Sequence, residues 1–143
     1  MTFLTGSSKL PWWALIPAVL IILVYSMLSY IAFFDPASWY SSMGIPQPEH
    51  GFIITSWGGK NTAMVVSILL ALISRRRLPM AIALAVFFTG QIGDAVAGAQ
   101  TGVNVFITYI GMGLVAAQLV AMLISSQSSE STADVEVAGS PSM

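Results

Sequence analysis

Cysteine is absent from the chain, and histidine occurs once in 143 residues. No disulfide, thiolate nucleophile or cysteine-ligated metal is available, and a multi-histidine metal site is excluded. Charge is scarce as well: Lys, Arg, Asp and Glu make up 8% of the residues. Three of the five basic residues sit in one turn, which leaves no footprint for nucleic acid. The net charge of −1 carries no message about partners. Neither a glycine-rich phosphate loop nor a nucleophilic-serine motif occurs, and no cofactor is implied.

Apolar surface is what the chain has in excess. It is 56% hydrophobic, with a mean hydropathy of +0.83, far too apolar for a soluble domain. The apolar residues fall in four blocks, each near the ~20 residues needed to span a bilayer. The first runs over 11–34, with Pro11 at its start and Trp12 and Trp13 at interfacial positions. It is too long for the core of a signal peptide and lacks a small-residue cleavage site. The second covers 52–74, the third 78–99 and the fourth 103–124. The pattern predicts an all-α, four-helix transmembrane bundle over residues 1–124. Residues 125–143 are rich in Ser, with Glu130, Asp134 and Glu136, and read as a disordered tail.

Lys9 and the turn Arg75-Arg76-Arg77 fall on one side of such a bundle. The positive-inside rule makes that side cytoplasmic, with both termini there. Lys60 and Asp94 are the exceptions to the apolar rule, because each must lie within a span. Lys60 precedes Arg75 by 15 residues and Asp94 follows Arg77 by 17. At ~1.5 Å of rise per residue both lie roughly 23–25 Å from the turn. Antiparallel helices would bring them to one depth, and an ionisable pair in lipid reads as a functional site. Asp35, Glu49, His50, Asn61, Gln91, Gln100 and Asn104 fall toward the same end. The basic half holds no comparable group, so the reading places a polar pocket under the loop 35–51.

The chemistry this set suits is acid–base. Asp94 is the candidate base or nucleophile. Lys60 is its charge partner or an oxyanion stabiliser. His50, Glu49 or Asp35 would donate a proton from the loop. Asn61, Gln91, Trp57 and Asn104 would contact substrate or orient water. On the third span Gln91, Asp94 and Gly98 share one face. Gly58-Gly59 precede Lys60 and open space beside it. The pair reads equally well as a structural ion bridge that sets helix register.

Four motifs carry a resemblance. They are F-D-P-A-S-W-Y after the first span, G-G-K-N opening the second, the arginine-rich turn, and G-Q-I-G-D in the third. Over roughly Phe33 to Ile124 the chain resembles a small four-helix membrane family of DoxX-like type. It is similar there to multi-pass proteins of fungal secondary-metabolite clusters, among them epoxide hydrolases of the aurovertin and citreoviridin kind. Many relatives carry Arg where Lys60 stands. The resemblance implies opening of a polyene epoxide by water or an internal hydroxyl. The expectation is therefore an integral-membrane enzyme of secondary metabolism, in the endoplasmic reticulum or another endomembrane if the source is eukaryotic. It would hydrolyse or cyclise an epoxide on an apolar polyketide or terpenoid entering from lipid. The alternative is a non-catalytic accessory or scaffold subunit, since the small-residue faces of spans three and four suit a homo- or hetero-oligomer. A proton or small-solute carrier fits less well, because the basic half lacks polar groups to complete a path.

Overall fold

The structure, a computed structural model, describes residues 9–44, 52–102 and 106–138. A 3-10 turn, Trp12–Leu15, leads into α1 (Ile16–Phe34), followed by the short α2 (Pro36–Met43). Then come α3 (Phe52–Ser74), α4 (Arg77–Thr101) and α5 (Phe106–Ala138). No strand occurs among the described residues. Among the described residues four helices are long and apolar enough to cross a membrane, so the chain is an all-α, multi-pass membrane protein.

The first span begins later as an α-helix than the predicted residue 11. Pro17 has no N–H, so it cannot serve the carbonyl of Trp13. Trp13 accepts from Ile16 instead, closing a 3-10 turn. At the next rung, a side chain from α5 steps in. The carboxamide of Gln118 accepts the Ala18 N–H at 2.9 Å and donates to the Ala14 carbonyl at 2.7 Å. It stands where a backbone rung from Ala18 to Ala14 would otherwise form. Gln118→Leu is expected to cost about 1–3 kcal/mol, because buried backbone groups lose their partner. Thermal unfolding in detergent measures this, and an unchanged midpoint would show that the bridge contributes nothing.

The turns have equally local causes. Asp35 caps α2, its Oδ1 accepting the Ser38 N–H at 3.3 Å, and Pro36 occupies the first helical position. Gly44 (φ +68°) ends α2 and Gly102 (φ +71°) ends α4, both left-handed. Arg75 takes the same region (φ +52°) without being glycine, which is uncommon. Bonds to the chain start help to hold it there. The Leu10 N–H donates to the Arg75 carbonyl at 2.8 Å. The Arg75 guanidinium donates to the Leu10 carbonyl at 2.7 and 3.1 Å. Lys9 and the three arginines therefore share one end of the bundle. At the other terminus α5 does not stop at Ile124. It continues to Ala138 through the segment expected to be a disordered tail. Residues 125–138 contain neither Gly nor Pro to end it.

The spans form a ring in chain order: α1 packs on α3, α3 on α4, α4 on α5, and α5 back on α1. Tyr25 of α1 reaches across the centre to α4, edge-on to Phe87 with ring centroids 4.7 Å apart. Ile21, Ile68, Leu84 and Met122 fill the core around them. The outer surface carries Leu23, Leu70, Ile82 and Val120, apolar where a soluble protein would be charged. Where α1 meets α3, a Cβ added at Gly58 would lie 3.0 Å from that of Ala32. Small residues permit this close approach.

Candidate functional site

Lys60 on α3 and Asp94 on α4 meet in an ion pair, Nζ to Oδ1. A second contact lies four residues further along α3 and four back along α4. The sulfur of Met64 covers Gly90, where an added Cβ would come within 2.9 Å of it. Together the two contacts set the antiparallel register of this hairpin. The pair occupies the seam between the helices rather than the bundle centre, its side chains 36% and 22% exposed.

The next residues inward are the buried ones. Asn61 is 0% exposed and Gln91 1%. Neighbouring residues of α3 thus divide between the two surfaces. Lys60 turns to the seam, while Asn61 and Met64 enter the core. Of Gly58 and Gly59, the first is a helix contact against Ala32, and only the second has open space beside it.

Gln91 is held by a residue the sequence reading did not single out. The Tyr25 hydroxyl donates to Gln91 Oε1 at 2.8 Å and lies 3.3 Å from the Ile107 carbonyl. Gly111 of α5 makes room for this, since a Cβ there would run into the Tyr25 hydroxyl. Thr108, one turn earlier on α5, is buried too. Three amide atoms keep no hydrogen-bond partner among the described residues: Asn61 Nδ2, Asn61 Oδ1 and Gln91 Nε2.

Trp57 lies one turn before Lys60 and Asn61 on α3, and the Trp39 ring of α2 stacks on it. Their centroids are 4.4 Å apart and the planes 33° from parallel. This aromatic pair joins α2 to α3 one turn from the polar residues. Glu49, His50 and Asn104 lie outside the described residues. Asp35 is committed to the α2 cap. The Ser38 hydroxyl, and then its backbone N–H, hold the Asp35 carboxyl below its usual range. It stays ionised at neutral pH and is therefore no proton donor.

One expectation needs correction. The basic half does contain a buried polar group, since Gln118 is fully buried against the start of α1. A single Gln inside an apolar span was the available signal. A cavity of about 300 Å³ also opens away from the ion pair. It lies between α4 and α5, lined by Leu84, Ala85, Phe88, Met112, Val115 and Leu119, and offers no acid or base.

Chemically, the seam presents a carboxylate with one oxygen neutralised by an ammonium group and the other left for a second partner. Two buried amides stand behind it. Compared with protein-family models, curated proteins and solved structures, the chain matches none of them, so this arrangement speaks through its own residues.

Proposed function

We propose that the protein is a membrane-embedded acid–base enzyme that opens an epoxide on a lipophilic polyketide or terpenoid. The observation that carries this reading is the Lys60–Asp94 pair, partly exposed at the α3/α4 seam of an otherwise apolar bundle. A ligand reaching it crosses the apolar outer surface of the bundle, so the substrate is lipid-soluble.

The chemistry balances without a further reagent. Asp94 takes a proton from water as the oxygen of that water attacks an epoxide carbon. The carbon–oxygen bond opens and the charge develops on oxygen beside the Lys60 ammonium group. Asp94 then returns the proton to that alkoxide, giving the diol. An internal hydroxyl in place of water gives a cyclic ether. The positive-inside rule places the arginine turn in the cytoplasm and this site in the opposite half of the bilayer.

The test is direct. Purified protein in liposomes is given alkyl, polyene and terpenoid epoxides in isotopically labelled water. The expected product is a diol carrying one labelled oxygen per turnover. No conversion above protein-free liposomes across all three substrate types would refute the proposal.

A further inference from the structure

Among the described residues, Asn61 and Gln91 together leave three polar atoms without partners at the centre of the bundle. In a core each such group costs about 1–3 kcal/mol. Bilayer hydrocarbon supplies no water to relieve it. Two such residues on neighbouring helices need an explanation, and a ligand oxygen that meets their amide nitrogens supplies one.

They stand at one level. The Lys60–Asp94 pair and the Met64–Gly90 contact bracket a single turn of α3 against a single turn of α4. Asn61 and Gln91 fall inside that bracket. The hydroxyl of Tyr25 occupies Gln91 Oε1, so Gln91 offers only its amide N–H groups. Asn61 offers its own N–H groups and one carbonyl. Donors outnumber acceptors in the cluster. The complement of the two unpaired amide nitrogens is an oxygen that accepts without donating, such as an epoxide, ether or carbonyl oxygen.

We infer that Asn61 and Gln91 form the binding site for the acceptor oxygen of a lipophilic ligand, beside the Lys60–Asp94 pair. This deepens the acid–base reading and rests on it, because it places the oxygen to be released next to Lys60. The Trp39–Trp57 stack joins α2 to α3 one turn away. Entry is through the α3/α4 seam, where Lys60 is exposed. Met64 is the movable wall: its unbranched chain lies over Gly90, which has no side chain to resist a change of rotamer.

The test uses a matched set of hexadecyl compounds, namely an epoxide, a methyl ketone and the plain alkane. Thermal unfolding of the purified protein is followed in detergent with each. The epoxide and ketone are expected to raise the midpoint of the wild type, and the alkane is not. In Asn61→Leu the unliganded midpoint should hold or rise, since unpaired polar atoms are gone. Its response to the epoxide and ketone should fall to the level of the alkane, an affinity loss of at least about tenfold. A merely structural Asn61 would instead lower the unliganded midpoint. Should Asn61→Leu not accumulate, Asn61→Ala gives the same comparison by removing atoms only.

Two results overturn the inference. One is a wild type that does not distinguish the epoxide and ketone from the alkane. The other is an Asn61→Leu protein with the wild-type response. Hydrolysis measured on the same samples separates this idea from the one beneath it. Hydrolysis that survives in Asn61→Leu with unchanged KM removes the amide site and keeps the enzyme. A ketone response lost in Asn61→Leu, with no hydrolysis by the wild type, supports the amide site and removes the acid–base reading.

Discussion

Asp94→Asn is expected to lower epoxide turnover by a factor of about 100 to 10,000 while the protein still inserts and folds. Asparagine keeps the shape of the side chain and its bond to Lys60 Nζ but cannot accept a proton. Lys60→Met is expected to reduce turnover too, by removing the cation that meets the developing alkoxide. It also leaves the carboxylate without its counter-charge. Full burial would make that loss severe, but both side chains are partly exposed. The stability cost should therefore be nearer about 1–2 kcal/mol. The double variant decides what the pair is for. With both charges gone, stability should return toward wild type, since a neutral pair of similar volume leaves no uncompensated charge in this environment. Turnover should not return. Recovery of both together would make the ion pair a register device and end the catalytic proposal. Diol formation and thermal unfolding, measured on the same four proteins, supply the comparison.

Gly111→Ala is expected to be the most damaging small substitution in the bundle. The added methyl group would occupy the position of the Tyr25 hydroxyl and lie 3.1 Å from Gln91 Oε1. Tyr25 has little freedom to retreat. It is 1% exposed, its ring is set edge-on against Phe87, and its hydroxyl is bonded to Gln91. Overpacking of this kind costs typically about 1–3 kcal/mol and sometimes more. The partner variant Tyr25→Phe removes the oxygen that is in the way. Alone it should cost about 1 kcal/mol for the lost hydrogen bond. Combined with Gly111→Ala it should cost clearly less than the two separately. Additive losses in a double-mutant cycle would mean that the glycine is needed for some other reason.

The ion pair was legible before any coordinates, because it rests on arithmetic that helices obey. Two charges at matched distances from one turn must meet if the helices leaving it are antiparallel. Three of the spans began and ended close to where hydropathy, Pro79 and Gly102 put them. The fourth overran its expected end, because an apolar run locates a span and not the last turn of its helix. Asn61, Gln91 and Trp57 were legible as polar or interfacial residues near the pair. Which of them faced the core was not.

Tyr25 and Gln118 were missed for a common reason. Each is an ordinary residue until a distant segment arrives: Gln91 and Gly111 for Tyr25, and the broken first turn at Pro17 for Gln118. The need for glycine at 111 is likewise invisible in α5 alone, where Gly111 and Gly113 look alike. A Cβ at 113 would meet nothing within 4 Å. The contact that separates the two comes from α1.

By itself the chain settled that it crosses a membrane four times, that four of its five basic residues gather at one end, and that one acid and one base share a depth. These follow from composition and from the constant rise of a helix, which are local properties. Only the folded bundle decided that the charges lie at a seam, that two amides behind them lack partners, and that Gln118 completes a helix it does not belong to. Those are questions of which way a side chain turns when four helices close into a ring. The answer depends on packing between segments far apart in sequence, which no local pattern records.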